Sequence, residues 1–278
     1  MNLIIQGADI FTQDLKQLAK LSGAKAIENI TPEAFRLADA DIASKAAVTS
    51  HCETAKLDFA FVPKNQLLKN IGLLVMDMDS TLITIECIDE IADMQGIKPQ
   101  VAAITASAMR GEMDFTESLT RRVALLKGLD ESALQQVYDQ RLQLTPGAEK
   151  LLAKTKSLGV KTLLVSGGFT FFTSRLKARL GLDYTASCQL EIIEGKLTGK
   201  LIGPIIDAQA KADWLEKIRL ELKLKKENVI GIGDGANDLK MLAAAGVSIA
   251  FHAKPIVREQ ASYALNFTGL DGTMYLFY

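Results

Sequence analysis

Two aspartates one residue apart follow a short apolar run. In the segment LVMDMDST, Asp77 and Asp79 come directly after residues with the composition of a buried strand. Two carboxylates this close repel each other, and an ionised group is costly to hold beside an apolar interior. A shared reaction would justify the pair, because Asp77 could attack an electrophile while Asp79 handles protons. Alternatively, Asp79 or Ser80 caps a following helix, which accounts for one acid but not for both.

A second acidic segment lies far along the chain. In GIGDGANDLKML, Asp234 ends an apolar run, the glycines permit a tight turn, and Asp238 opens a predicted helix. Carboxylates from two strand ends are suitable ligands for Mg²⁺, which takes oxygen ligands and binds phosphate. Gly-Asp-Gly by itself is also a common turn. Combined with the first pair of acids it predicts a magnesium site, and the cation would offset the repulsion between Asp77 and Asp79.

Two further segments offer groups that could hold an anion. In LLVSGGF, Ser166 has a hydroxyl, and Gly167 and Gly168 would let backbone N–H groups approach an oxyanion ahead of a helix. Lys211 falls in the first turn of a predicted helix, where the helix dipole disfavours a cation. That position favours a role in phosphoryl binding over the alternative of a solvated surface lysine.

The elements that must position these residues form a regular alternation from about residue 73 onward. Short apolar runs such as KTLLVSGG, NVIGIGD and VSIAF alternate with amphipathic helical segments, which predicts a parallel sheet covered on both faces. Ligands bind outside the carboxyl ends of such strands, so we expect Asp77, Ser166 and Asp234 to converge. The segment LEIIEGKLTGKLIG predicts a hairpin beside the main sheet.

Two regions depart from this alternation. Residues 86–143 contain no strand pattern, and we interpret them as a helical cap above the ligand-binding edge rather than a helical subdomain without a role in the site. Residues 1–70 read as strand-helix-strand-strand-helix-strand, the order of a ferredoxin-like module, although TPEAF could instead open a helix. The catalytic core would then comprise residues 71–85 and 144–278, with PKNQLLKN as the linker.

Composition excludes several classes of function. The 278 residues include 32 basic and 33 acidic side chains, so no excess of charge indicates binding to nucleic acid or to an anionic membrane. The first residues lack the pattern of a signal peptide, and no apolar run is long enough to span a bilayer. Three scattered cysteines are typical of free thiols in a reducing cytoplasm, and two histidines are too few for a His-rich metal site.

Taken in order, D-x-D-S-T, S-G-G, a single lysine and G-D-G-x-N-D resemble the haloacid dehalogenase-like phosphatases. The segments DMDSTLITIECIDEIA, AMRGEMDFTESLTRRVALLKG and SGGFTFF are similar to the bacterial branch of that family that hydrolyses phosphoserine. The resemblance extends from about residue 72 to AFHAKP. It implies a doubly wound α/β core, a helical cap, Mg²⁺ as cofactor, and hydrolysis of O-phosphoserine in the last step of serine biosynthesis.

The resemblance also implies a role for each motif residue. Asp77 would form an aspartyl-phosphate, while Asp79 would protonate the leaving oxygen and then deprotonate the attacking water. Mg²⁺ would be held by the side chains of Asp77 and Asp234 and the backbone carbonyl of Asp79. The remaining implied roles are phosphoryl binding by Ser166, Gly167 and Lys211, contact with the phosphate or the substrate by Asn237, and support of the metal by Asp238.

The predicted cap would supply the residues that recognise phosphoserine. Glu86 matches the family's amine-binding acid, and Arg122 matches its carboxylate-binding arginine, for which the planar guanidinium is suited. Met109 and Phe115 match apolar residues that close over the ligand.

Without the resemblance, Glu86 would read as a surface acid of a helix. Arg122 would read as a partner of Glu117 or Glu112. Arg121 competes with Arg122 for the carboxylate, and the spacing from Phe115 selects Arg122.

The same motifs also fit other functions. A phosphatase of another small phospho-amino acid or phosphosugar would use the same chemistry with a differently lined cap. A phosphomutase would need the same aspartyl-phosphate but would have to exclude water.

The N-terminal unit resembles, in topology alone, the ACT modules that bind amino acids and dimerise. A homodimer is therefore one possibility for this chain. The alternative is that the unit is a structural appendage.

Overall fold

The computed structural model describes all 278 residues, and its first part is a small α+β unit. Its elements are β1 (Asn2–Gln6), α1 (Thr12–Ser22), β2 (Ala26–Thr31), β3 (Ala34–Ala38), α2 (Lys45–Ala55) and β4 (Asp58–Val62). The four strands form an antiparallel sheet in the order β2-β3-β1-β4. This is the order expected of a ferredoxin-like module.

The helices of this unit cover one face of its sheet. Leu15 and Leu18 of α1 lie one turn apart and are buried in a separate apolar cluster that also contains Val48 of α2. Gly23 ends α1 in the left-handed conformation, with φ of 63°, and its N–H donates to the carbonyl of Lys20.

The alternative that TPEAF opens a helix is wrong. Thr31 is the last residue of β2, Ala34 is the first residue of β3, and the two residues pair across the turn. Thr31 and Pro32 are acceptable at a helix start, but burial of Ala34 and Leu37 in strand β3 outweighs that local preference.

The opposite face of the small sheet packs on the rest of the chain. Ile4, Ala60 and Val62 from β1 and β4 belong to the main apolar core, which extends into the second unit. Asp58, at the start of β4, is 1% exposed, and its carboxylate accepts hydrogen bonds from the backbone N–H groups of residues 266–268. Apolar burial and buried hydrogen bonds together therefore join the two units.

The second part is a seven-stranded sheet in the order β11-β10-β9-β5-β6-β7-β8, in which only the pairing of β8 with β7 is antiparallel. Its strands are β5 (Leu73–Met76), β6 (Lys161–Phe169), β7 (Tyr184–Ile193), β8 (Lys196–Ile202), β9 (Val229–Gly233), β10 (Val247–Phe251) and β11 (Tyr263–Leu265). The helices between and after them are α7 (Ala148–Ser157), α8 (Thr170–Leu180), α9 (Ala208–Glu221), α10 (Leu239–Ala244), α11 (Pro255–Gln260) and α12 (Gly272–Tyr275).

Strand β5 lies where the direction of the chain across the sheet reverses. From β5 the chain proceeds through β6 to β7 on one side, whereas β9, β10 and β11 follow one another on the other side. Because parallel crossovers share one handedness, the helices of the two halves cover opposite faces, as in a doubly wound fold. The predicted fold class is confirmed, and the crevice at the carboxyl ends of β5 and β9 is the expected place for a ligand.

Four helices lie between β5 and α7. They are α3 (Cys87–Met94), α4 (Lys98–Met109), α5 (Phe115–Ala124) and α6 (Ser132–Gln140). The chain leaves and re-enters the core at adjacent points, because Ile83 pairs with Leu144 and the N–H of Thr84 donates to the carbonyl of Gln143. The insertion therefore stands on a two-stranded stalk, and the predicted β7–β8 hairpin contacts it through a bridge between Asp130 and Lys196.

The structure also describes the helices, cysteines and histidines that were considered from the composition. None of the helices is long and apolar enough to cross a membrane. All three cysteines are free and buried. His51 lies 2.9 Å from a carboxylate oxygen of Asp14, and His252 lies 2.9 Å from the carbonyl of Thr268, so each histidine has an ordinary polar partner.

Candidate active site

The register of the parallel strands brings three polar positions to one level of the sheet. Met76 at the end of β5 is aligned with Leu164 of β6 and with Ile232 of β9. Asp77, Ser166 and Asp234 follow these residues by one or two positions. All three line one cavity of about 710 Å³ between the core and the helical insertion. The structure thus brings together the strand-end residues that the sequence singled out.

Asp77 continues strand β5 by one residue and is 5% exposed. Its N–H donates to the carbonyl of Ile232, and its Oδ1 accepts a hydrogen bond of 2.7 Å from the N–H of Met78. The other carboxylate oxygen, Oδ2, is 2.8 Å from the Nζ atom of Lys211. The carboxylate is therefore held on two sides by the protein while the residue still borders the cavity.

Asp79 lies in the irregular turn that follows. Its Oδ1 accepts a hydrogen bond of 2.9 Å from the N–H of Cys87, and the hydroxyl of Ser166 donates to its Oδ2 at 3.3 Å. Burial raises the pKa of Asp79, and the bond from Cys87 opposes the shift. A raised pKa suits a carboxyl group that must carry a proton at one stage of a reaction.

Lys211 is completely buried and bridges two acids. Its Nζ lies 2.8 Å from Asp77 and 2.7 Å from Oδ1 of Asp238. Burial by itself would lower the pKa of Lys211, but Asp238 and Asp77 together raise it above the ordinary value. The ammonium is therefore charged, and it offsets part of the negative charge at the carboxyl ends of β5 and β9.

The second acidic segment forms a closed turn after β9. Oδ2 of Asp238 accepts hydrogen bonds from the N–H groups of Asp234 and Gly235, at 3.1 and 3.0 Å. A Cβ at Gly233 would lie 2.6 Å from the side chain of Asp238, so this close approach requires glycine. The hydroxyl of Thr81 donates to Oδ1 of Asp234 at 3.0 Å and so connects the two acidic segments.

The donor set fits a divalent cation. Asp77, Asp234 and Asp238 each offer a carboxylate oxygen, and these oxygens lie within 4.8 Å of one another. Burial, with repulsion from Asp238, raises the pKa of Asp234 to about 6 and that of Asp77 well above its usual value. Carboxylates that destabilise one another in this way bind a hard cation such as Mg²⁺ favourably. Asp238 already pairs with Lys211, so Asp77 and Asp234, which line the cavity, are the accessible ligands.

The predicted anion-binding segment forms the end of β6. Ser166 is 1% exposed, and its Oγ accepts a hydrogen bond of 2.8 Å from the N–H of Gly168. A Cβ at Gly168 would lie 2.6 Å from Oδ2 of Asp79, and one at Gly167 would lie 2.6 Å from the ring of Phe115. The two glycines are therefore required for close packing of this strand end against both the acidic turn and the insertion.

The insertion contributes the other wall of the cavity. Among the predicted residues, those that line it are Asp77, Asp79, Glu86, Met109, Phe115, Arg122, Ser166, Gly167, Asp234 and Asn237. Lys211 and Asp238 lie buried behind this lining, in contact with Asp77 and with the turn after β9. The structure thus collects all twelve predicted residues around one cavity.

The structure distinguishes Arg122 from its neighbours. Arg121 pairs with Glu117 at 2.6 Å, and Arg110 pairs with Glu112 at 2.6 Å, so both acids considered as partners of Arg122 bind other arginines. Arg122 instead lines the cavity, and its Nε donates to the carbonyl of Ser118 at 3.4 Å. Burial lowers the pKa of Arg122, although a guanidinium remains charged near neutral pH.

Glu86 precedes α3 at the mouth of the cavity. Its Oε1 accepts a hydrogen bond of 2.7 Å from the hydroxyl of Ser80. The side chain contacts solvent in the open cavity, but the surrounding protein atoms still desolvate it partly. This desolvation, with repulsion from Asp79, raises the pKa of Glu86 to about 7.

Three residues near the cavity were not singled out as site residues from the sequence. Oδ1 of Asp89 is buried without a hydrogen-bond partner, and Asp89 lines the cavity together with Arg122. Lys254 lines it as well, and its N–H donates to the carbonyl of Asp234 at 3.3 Å. Thr81 binds Asp234. Spacing on one helix face could have identified Asp89, which is three residues after Glu86, but no local pattern marks Lys254.

Comparisons with known proteins agree with this geometry. A sequence profile described as haloacid dehalogenase-like hydrolase matches residues 71–246, and a profile described as a domain of unknown function (DUF4072) matches residues 3–48. A protein of Polaromonas sp. named phosphoserine phosphatase is 52% identical over 209 residues, which are 73% of this chain and 89% of that protein.

Two solved structures are similar over most of the chain. The unliganded probable phosphoserine phosphatase of Vibrio cholerae has a TM-score of 0.86 and 38% identity, over 99% of this chain and 85% of that one. A phospho-aspartyl intermediate analogue of phosphoserine phosphatase has a TM-score of 0.70 and 38% identity, over 75% of this chain and 99% of that one.

Proposed function

The chain belongs to the haloacid dehalogenase-like hydrolases, and we propose that it hydrolyses O-phosphoserine to serine and phosphate with Mg²⁺ as cofactor. The observation that carries the proposal is the distribution of charge around the cavity. The acidic turns, with Lys211 buried behind Asp77, line the cavity, and so do Glu86 and Arg122. A molecule with a phosphate, an ammonium and a carboxylate has one group for each of these three regions.

In the first step a carboxylate oxygen of Asp77 attacks the phosphorus atom. A bond forms between that oxygen and phosphorus, and the bond between phosphorus and the serine oxygen breaks. Asp79 gives its proton to the serine oxygen, which leaves as a hydroxyl group. The hydrogen bond from Met78 and the ion pair with Lys211 support this step, because they hold Asp77 in one orientation and favour its ionised form against the effect of burial.

In the second step the aspartyl-phosphate is hydrolysed. Asp79, now ionised, accepts a proton from a water molecule whose oxygen attacks phosphorus, and the bond to Asp77 breaks. The products are inorganic phosphate and the regenerated carboxylate of Asp77. The hydrogen bond from the N–H of Cys87 to Asp79 keeps the same carboxyl group in place for both proton transfers, while the hydroxyl of Ser166 is released to the phosphoryl group.

The phosphoryl oxygens would be bound by the hydroxyl of Ser166, the N–H of Gly167 and the ammonium of Lys211, with Asn237 beside them. The side chains of Asp77 and Asp234 and the backbone carbonyl of Asp79 would hold Mg²⁺, which would neutralise charge between the carboxylate and the phosphate. Asp238 supports this arrangement through Lys211 and through the N–H of Asp234.

The insertion would select the substrate and close over it. Glu86 would pair with the ammonium and Arg122 with the carboxylate. Met109 is 67% exposed, and the ring of Phe115 lies against Gly167, so both offer apolar surface that a closing cap could bury. Serine biosynthesis in a reducing cytoplasm, a homodimer, and amino-acid binding by the N-terminal unit stay predictions.

A phosphate-release assay tests the proposal. O-phosphoserine, O-phosphothreonine, phosphoethanolamine and glucose 6-phosphate are compared with and without Mg²⁺, and sugar phosphates are also analysed for isomerisation. We expect phosphate release that depends on Mg²⁺ and a higher kcat/KM for O-phosphoserine than for the others. Preference for a sugar phosphate would show that the proposed substrate is wrong. Isomerisation without phosphate release would show that the proposed reaction is wrong.

A further inference from the structure

Ser80 adopts a backbone conformation that side chains rarely take. Its φ and ψ are 54° and 4°, in the left-handed region that favours glycine. Five other non-glycine residues share a positive φ, and none of them adjoins a proposed catalytic residue, namely Asp39, Lys56, Glu194, Lys223 and His252. The turn after Asp79 thus holds a serine where the backbone prefers glycine.

The backbone of this turn does not explain the serine. The N–H of Ser80 donates to the carbonyl of Ile85 at 3.2 Å and closes the loop of residues 80–85. Glycine has the same N–H group and adopts the same φ without strain. The side chain must therefore account for the serine, and its one hydrogen bond is the 2.7 Å bond from Oγ to Oε1 of Glu86.

Glu86 has several charged neighbours and a single hydrogen-bond donor. Asp79, Asp89 and Asp234 repel its carboxylate, and Arg122, which lines the same cavity, attracts it. The side chain makes no capping bond to α3, although Glu86 directly precedes that helix. The hydroxyl of Ser80 is thus the contact that restrains Glu86 against the repulsion, and it leaves Oε2 free for a ligand.

We propose that Ser80 is a positioning residue for recognition of the amine: its hydroxyl holds Glu86 where the ammonium of the substrate binds. The inference rests on the proposed function, because it assumes a phosphate ester that carries an ammonium group. It adds a residue that acts through Glu86 and does not contact the substrate. The left-handed backbone at Ser80 is retained because glycine, which fits the turn better, has no hydroxyl.

The test compares Ser80→Ala with Ser80→Gly on two substrates that differ only in the ammonium group. These are O-phosphoserine and the phosphate ester of 3-hydroxypropanoate. We expect both variants to lose about tenfold in kcat/KM for O-phosphoserine, mainly through KM, since each lacks one hydrogen bond to a charged group. On the amine-free ester we expect a loss of less than about twofold.

Two controls separate recognition from structure. Thr84→Ala removes an exposed hydroxyl from the same loop and should leave kcat/KM unchanged for both substrates. Ser80→Gly should melt about 2–4 °C higher than Ser80→Ala, because only alanine keeps the left-handed strain. In a Glu86→Ala background, Ser80→Ala should cause no further loss of kcat/KM for O-phosphoserine.

The outcomes discriminate between the hypotheses. Equal losses on both substrates would show that Ser80 acts on the turn of the nucleophile and would overturn the inference, as would unchanged kcat/KM for O-phosphoserine. The wild-type protein reports separately on the proposed function. If it does not prefer O-phosphoserine to the amine-free ester, the proposed substrate is wrong, whatever the Ser80 variants do.

Discussion

The Nζ atom of Lys211 lies 2.8 Å from Oδ2 of Asp77, although the two residues are 134 positions apart in the sequence and both are buried. A buried carboxylate favours its neutral form, because burial penalises charge. The ion pair opposes this tendency and favours the ionised form of the proposed nucleophile, while burial and repulsion from Asp238 still leave the pKa of Asp77 raised. Asp238 shares the same ammonium at 2.7 Å, so removal of Lys211 would leave two buried acids without their common partner.

Asp77→Asn should lower turnover of O-phosphoserine by at least about 10³-fold, because an amide is a poor nucleophile. The fold should persist, since the amide oxygen can still accept the hydrogen bond from Met78. Rapid acid quench with ³²P-labelled O-phosphoserine should label the wild-type protein and leave the variant unlabelled. Asp213→Asn, which changes an exposed acid of α9, is the matched control. Full activity of Asp77→Asn would exclude Asp77 as the nucleophile.

Removal of divalent cations should abolish activity, and Mg²⁺ should restore it. Binding also stabilises the folded protein by about 2.7 kcal/mol at a concentration of one hundred times Kd, so melting of the metal-free protein should shift upward on titration with Mg²⁺. Asp234→Asn should remove most of this thermal shift. Full activity after exhaustive chelation, or an equal shift in Asp234→Asn, would be incompatible with the assigned site.

Arg122→Ala should lower kcat/KM for O-phosphoserine by about 100-fold, because a charged hydrogen-bonded pair with the substrate carboxylate is lost. Phosphoethanolamine lacks that carboxylate and should be affected much less. Arg121→Ala is the control on the same helix, since Arg121 pairs with Glu117 on the surface. Similar losses on both substrates, or a larger loss in Arg121→Ala, would refute the assignment.

The pH dependence of kcat/KM should report on Glu86. Desolvation by the surrounding protein atoms is the main cause that raises the pKa of Glu86 to about 7. The ammonium of the substrate binds the ionised carboxylate, and the ionised fraction rises with pH. Consequently kcat/KM for O-phosphoserine should reach about half of its plateau near pH 7 and level off about one pH unit higher. The substrate phosphate titrates near pH 6 as well, so the amine-free ester provides the reference profile. The difference between the profiles should disappear in Glu86→Gln; a difference that persists there would assign the titration to another group.

Asp58→Ala should destabilise the protein without changing the chemistry of the site. The carboxylate accepts bonds of 2.6, 2.9 and 3.0 Å from the N–H groups of Asn266, Phe267 and Thr268, and these donors would be left unpaired. We expect a loss of about 2–4 kcal/mol in the free energy of unfolding, measured with urea. Asp41→Ala removes one exposed capping bond and should cost at most about 1 kcal/mol. Equal stabilities of the two variants would contradict this account of the interface.

Much of the fold was predictable because its signals are local. Alternating apolar runs and amphipathic segments identified β5, β6, β9 and β10, and the polar residues that end three of these strands indicated the ligand-binding edge. The turn between β2 and β3 was ambiguous, because the local signals there fit a helix start as well as a turn between strands. Thr31 and Pro32 are suitable for a helix start, and only the pairing of two strands excluded it.

The sequence by itself determined the class of fold and the family of hydrolases, since strand periodicity and the four motifs are read within short segments of the chain. Tertiary structure alone decided that Lys211 bridges Asp77 and Asp238 and that Asp58 joins the two units. Residue type and spacing do not encode those contacts. The bonds of Asp58, for example, connect residues 208–210 positions apart and depend on how whole elements pack.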